Sequence, residues 1–356
     1  MDRRSVIKNA GIAGVLAAGI APAVHAQAAV RWRLASSFPK SLPTIFGSAE
    51  KFSETVKALS GGKFEVSVHP AGDLVPAFGV VDAIQDSTIE MAQTASYYFT
   101  GKDPIFAFGC AVPFGLTARH MDAWMEHGNG RKYMDEFYAK FNIVSMSSGN
   151  TGTQMGGWYR KEIKTVADLK GLKMRIPGLA GKVYANLGVD VKVLPGGEIF
   201  PALERGVIDA AEFVGPFQDR RLGLQKAAKY YYTTGWHESS TVSELLINKA
   251  AWDKLPADLK AIVTNASAAC NVISEGWCQK ANSEAMEDLI KNQGVIARPL
   301  PDDVIKALKV ETDKVLADAI KDPLTKKVHD SYFAFKAKYD RWSEISEEAY
   351  HLKVRG

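Results

Sequence analysis

Arg175 stands between Met174 and Ile176 and is followed by Pro177-Gly178. A guanidinium with apolar neighbours on both sides belongs near an interior, where its rigid planar fork matches a carboxylate. Two partners are open to it: a ligand carboxylate at a cleft rim, where Pro177-Gly178 turns the backbone away, or an internal pair with Glu212. Glu212 follows Ala210-Ala211 on a strand that should be buried. A lone carboxylate there costs on the order of several kcal/mol unless it is paired or holds a cation. Gln154 and Glu238 supply further oxygens, the ligand type that a hard cation such as Ca²⁺ or Na⁺ requires. A satisfied buried carboxylate is the plainer alternative. His237 stands beside Glu238 with no second histidine at helical distance, so no soft-metal spacing competes.

The stretch GNTGTQMGGWYR, residues 149–160, holds four glycines together with Asn150 and Gln154. It lacks the Gly-Lys-Ser or Gly-Lys-Thr of a phosphate loop. The glycines allow close backbone approach and a bend, while Asn150 and Gln154 offer hydrogen bonds to a small ligand. Trp158-Tyr159 are expected to cover apolar surface where two lobes meet. For catalysis, the chain shows no Ser-His-Asp order, nucleophile elbow or metal-hydrolase histidine pair, and Glu212 with Glu238 is the best available acid–base dyad.

These residues need a scaffold that brings distant segments to one crevice. A strand is expected at 30–35, then a helix with Ile45, Ala49, Phe52, Val56 and Leu59 on one buried face, then a strand at 64–68: a strand–helix–strand unit with a parallel crossover. Residues 83–93 and 202–212 both read as helix end, tight turn and buried strand, the second beginning 119 positions after the first. Further strands are expected at 143–146, 172–176, 189–193 and 243–248. The fold class is therefore α/β with two similar lobes: 27–150 as the first, 151–250 as the second, 251–322 as helices crossing back, and 323–356 as an amphipathic aromatic helix. In open parallel sheets, ligands bind beyond the carboxyl ends of strands. That rule selects Asn150, Gln154, Arg175 and Glu212-Phe213 in one lobe and Ser96, Tyr97 and Tyr98 in the other. Val328, Tyr332, Phe335, Tyr339 and Trp342 recur at helical spacing in the last segment, as core or as a dimer face.

The first twenty-six residues read as an address. Arg3-Arg4 and Lys8 precede a weakly apolar run that ends at Val24-His25-Ala26, which resembles a twin-arginine export signal. Pro22 and the shortness of the run argue against a membrane span. Without this segment the formal charge falls from +4 to about +2, which suggests no nucleic-acid partner. Cys270 and Cys278 lie about 12 Å apart along one expected helix, too far to bridge, so with Cys110 they read as small buried hydrophobes.

At Gly149-Asn150-Thr151-Gly152, Gln154 to Trp158, 169–177, Leu194 to Glu198 and 202–216 the sequence resembles the extracytoplasmic solute-binding proteins of tripartite ATP-independent periplasmic (TRAP) transporters. It is closest to the branch that takes up 2-oxo and 2-hydroxy acids. The resemblance implies a two-lobed periplasmic-binding-protein-like fold with crossing strands and long C-terminal helices, located in the periplasm and closing on a small organic acid for delivery to TRAP membrane subunits. It implies Arg175 as the clamp on the ligand carboxylate. It also implies a Ca²⁺ or Na⁺ ion held by Gln154, Glu212 and the Phe213 carbonyl, with Glu238 added, and no catalytic cofactor. Phe213 departs from the tryptophan of close relatives, and a smaller ring admits a bulkier acid. Two-lobed α/β architecture also hosts sensory receptors and enzymes, and those readings stay open.

Overall fold

The computed structural model describes residues 29–355 apart from Thr234; the expected export segment lies outside the described residues. β1 (Val30–Ser36) and β2 (Phe64–His69) flank the helix Phe46–Leu59, whose Phe46, Ala49, Phe52 and Val56 face the core. β3 (Met91–Thr94) follows the helix Val80–Gln85, and β4 (Ile143–Asn150) follows the helices Ala118–His127 and Gly130–Ala139. The chain then crosses through residues 151–156 to β5 (Gly157–Tyr159), β6 (Lys173–Arg175), β7 (Asp190–Lys192), β8 (Ala210–Ala211) and β9 (Tyr230–Tyr232). It returns through residues 233–241 to β10 (Val242–Asn248), and β11 (Ile296–Arg298) closes the second sheet.

The two sheets share one plan. Their orders are β2-β1-β3-β10-β4 and, written from the other edge, β7-β6-β8-β5-β9-β11. β1 is parallel to β2 and β3, as β6 is to β7 and β8. β10 runs antiparallel to β3 and β4, as β5 does to β8 and β9. Each sheet therefore receives its fourth strand from the other and sends the chain back from its fifth. The repeat visible in the sequence extends to single hydrogen bonds. Thr88 and Ile89 N–H donate to Ala83 O just as Val207 and Ile208 N–H donate to Ala202 O, and the turn residues Ser87 and Gly206 both sit at positive φ, 60° and 72°.

The two crossings run side by side as a ribbon. Thr151 N–H donates to Thr241 O at 3.1 Å, Gln154 N–H to Glu238 O at 3.1 Å and Gly156 N–H to Tyr232 O at 2.7 Å. Gly235 is required where the strands pass: a Cβ there would collide with the Gln154 carbonyl. The long helix Ala257–Asn292 ties both lobes together. Its Ser267 donates to Ser147 O, its Ser274 accepts from Asn150 N–H, and its Asn282 accepts from Phe217 N–H in the second lobe.

Two local expectations change. Trp158 and Tyr159 lie within the second lobe, because β5 is an inner strand of that sheet: Trp158 stacks on Tyr231 with ring centroids 3.9 Å apart and donates to the buried Asp219. The aromatic stripe of the helix Pro323–Ile345 is core only at its start. Val328 and Tyr332 are fully buried, with Tyr332 Oη accepting from Leu116 N–H at 2.7 Å, whereas Trp342 is 59% exposed. Cys110, Cys270 and Cys278 are buried thiols.

Candidate functional site

Arg175 ends β6 and is wholly buried, and the internal pair that the sequence left open is present. Its Nη1 donates to Glu212 O at 2.6 Å and lies 3.2 Å from Glu212 Oε2; its Nε donates to Leu194 O at 3.1 Å. The guanidinium sits 5.5 Å from the centre of the Phe213 ring, which packs against Gly196 where a Cβ would come within 2.9 Å. Among the described residues, Arg175 Nη2 has no hydrogen-bond partner. The pair thus accounts for one edge of the fork and leaves the other with a donor to place.

The crossing ribbon supplies the next groups. Gln154 Nε2 donates to Thr241 Oγ1 at 2.9 Å and Thr151 Oγ1 at 3.2 Å, and Thr241 Oγ1 donates in turn to Glu238 Oε2. Those bonds fix the carboxamide so that Gln154 Oε1 is buried without a donor. Glu212, His237 and Glu238 bring ligand-type atoms within 4.8 Å of one another. His237 Nε2 lies 3.2 Å from Glu212 Oε1, and neither imidazole nitrogen makes a well-aligned hydrogen bond.

Burial dominates the electrostatics here. It raises the Glu212 and Glu238 carboxyls to about 8, opposed at Glu212 by the charge of Arg175 and reinforced at Glu238 by the charge of Glu212. It lowers the His237 imidazole to about 4. Two buried carboxyls that resist ionisation beside one arginine form a site short of positive charge.

The first lobe meets this cluster through Tyr97 and Tyr98, which follow β3 as the carboxyl-end rule expected. Tyr97 packs on the start of the helix Gly178–Asn186, where a Cβ on Gly178 would come 3.2 Å from Tyr97 Cβ. Tyr98 stands T-shaped to Tyr97; burial pushes its hydroxyl up to about 12, and the charge of Arg175 opposes that rise. Asn150 ends β4 where the first crossing starts; its Oδ1 accepts from Gly152 N–H, and its Nδ2 is buried without an acceptor. Ser96 is not brought to the cluster. Its hydroxyl donates to Phe106 O and to Glu244, a separate buried carboxylate that also accepts from Tyr138 and Ser145. His237 is the residue that sequence reasoning passed over, because it was weighed only for a second histidine at helical spacing. Its position beside Glu238 was the available clue.

Residues 35–322 match the model of a bacterial extracellular solute-binding protein, family 7. The chain belongs to that family. It is 42% identical over 358 residues to a monocarboxylate 2-oxoacid-binding periplasmic protein of Nostoc sp., with 98% of each covered. A TRAP transporter solute-binding protein of Bordetella bronchiseptica, solved as a mixed-occupancy dimer with calcium and picolinate in one active site, superposes with a TM-score of 0.90 at 38% identity, over 91% of this chain and 97% of that one. A TRAP periplasmic solute-binding protein of Pseudoalteromonas atlantica with bound sodium and pyruvate gives 0.88 at 38% identity, over 92% and 99%. The α/β two-sheet architecture with long C-terminal helices is that of this family, and among the described residues no helix is long and apolar enough to cross a membrane.

Proposed function

We propose that this chain is a periplasmic TRAP-type receptor that binds a small 2-oxo or 2-hydroxy monocarboxylate together with Ca²⁺ or Na⁺ and delivers it to membrane transport subunits. One observation carries the reading: buried groups of both kinds lack hydrogen-bond partners among the described residues, the donors Arg175 Nη2 and Asn150 Nδ2 and the acceptors Gln154 Oε1 and Glu212 Oε1. Orphaned donors fit an anion, and orphaned oxygens beside two carboxyls fit a hard cation. An acid with an oxygen next to its carboxylate answers both needs. In this reading Arg175 clamps the carboxylate, and Gln154, Glu212, Glu238 and the Phe213 carbonyl hold the cation. Asn150, Tyr97 and Tyr98 contact the acid, and Phe213 walls the pocket. The bound cation neutralises the buried carboxylates and orients the acid's second oxygen; no bond is made or broken. The relatives that hold calcium with picolinate and sodium with pyruvate support this.

Delivery rests on hinge closure. Groups of the first lobe, the ribbon and the second lobe surround the ligand, so binding favours the closed arrangement by its differential contacts. We also assign the exposed end of the C-terminal helix, with Trp342 and Ile345, to a homodimer face. Light scattering of the mature protein should give twice the chain mass, and a monomer mass at working concentration removes that assignment. For the ligand, a thermal-shift screen of chelated mature protein should show its largest rise with a 2-oxo or 2-hydroxy acid plus Ca²⁺. A rise confined to dicarboxylates, or one indifferent to Ca²⁺, would sink the cation-bridged reading.

A further inference from the structure

Glu212 is approached at both oxygens, by Arg175 Nη1 at Oε2 and by His237 Nε2 at Oε1, each at 3.2 Å. The imidazole is 1% exposed, held in the return crossing, and without a well-aligned bond at either nitrogen. A fully buried ring in that position is not ordinary packing, since one N–H and one lone pair stay unused. Ionised Glu212 would need donors for the lone pairs that do not face a cation. An imidazolium there would oppose both Arg175 and the cation, so the neutral ring is the compatible form.

We infer that His237 is a positioning residue for the cation: its neutral Nε2–H donates to Glu212 Oε1 and, with Arg175 on Oε2, fixes the carboxylate so that its remaining lone pairs face Gln154 and Glu238. This rests on the reading of Glu212 as a cation ligand. The arrangement parallels the hydrogen-bonded partners that orient ligands around many metal sites, whose removal costs about 10- to 100-fold in metal affinity.

The test uses the mature full chain, titrated with Ca²⁺ in the presence of pyruvate. His237→Leu should lose roughly 10- to 100-fold in Ca²⁺ affinity, while His237→Gln, whose amide N–H reaches a similar place, should restore most of it. Melting temperatures in chelator show whether both variants fold. In loaded wild type, ¹⁵N NMR should report the Nε2–H tautomer with a hydrogen-bonded proton. Equal Ca²⁺ affinity in wild type and His237→Leu overturns this inference alone. A metal-induced shift showing Nε2 bound to the cation also overturns it, making His237 a direct ligand. A wild type that binds no Ca²⁺ overturns the cation reading and this inference together.

Discussion

Arg175→Ala should bind pyruvate and related acids about 30-fold to several-thousand-fold more weakly than wild type. Truncating one partner of a buried charge pair costs about 2–5 kcal/mol, and much of that is the penalty of the charge left behind. Here the ligand carboxylate loses its clamp and Glu212 loses its ion pair with Arg175. A residue that only clamped the ligand could be lost with folding intact, but the structure gives Arg175 a second task. Its Nε and Nη1 hold Leu194 O and Glu212 O, so the variant should also be less stable. Arg175→Lys separates the two effects, because it keeps the charge and loses the fork. Calorimetry should find Lys weaker than Arg for the acid, with a melting temperature above that of the Ala variant. An Ala variant that binds pyruvate within a few-fold of wild type would dismiss Arg175 as the clamp.

Cation binding should depend steeply on pH, and the pH dependence of stability should disappear when the cation is bound. Glu212 and Glu238 sit at about 8 in the folded protein against an ordinary 4.5. A raised carboxyl contributes stability that is complete below the unfolded value and is lost as pH rises through the folded one. His237, lowered to about 4, contributes stability present above 6.5 and lost only as pH falls, so the window from pH 6.5 to 8 isolates the two carboxyls. Chelated protein should therefore become less stable across that window, by about 1 kcal/mol per pH unit for each of the two carboxyls. Saturating Ca²⁺ must displace those protons, so its affinity should rise at least about tenfold over the same window and the melting temperature should no longer fall. Parallel melting curves with and without Ca²⁺ would return both carboxyls to a purely structural role.

How much was legible depended on how local the cause was. The helix Phe46–Leu59 follows from its buried stripe, and the twice-used turn follows from a spacing of 119 that the hydrogen bonds at Ala83 and Ala202 repeat. Arg175 and Glu212 could be singled out because a charge among apolar neighbours has few tolerable environments. Ser96 could not be judged: the residue that takes its hydroxyl, Glu244, lies on β10, which reaches the first sheet only after the chain has built most of the second. The return crossing hid His237 as well, whose neighbour Glu212 follows β8. Trp158 was misplaced because its three-residue strand gave no periodicity to show that both faces are covered.

The most direct test is a crystal structure of the mature protein grown with pyruvate and Ca²⁺, with the cation located by its anomalous scattering. One strong peak is expected, bounded by Glu212, Glu238 and Gln154 Oε1, with the acid's carboxylate on Arg175 Nη2 and its second oxygen on the cation. Pyruvate bound elsewhere, or seated on Arg175 with no cation beside Glu212, would contradict the cation-bridged reading.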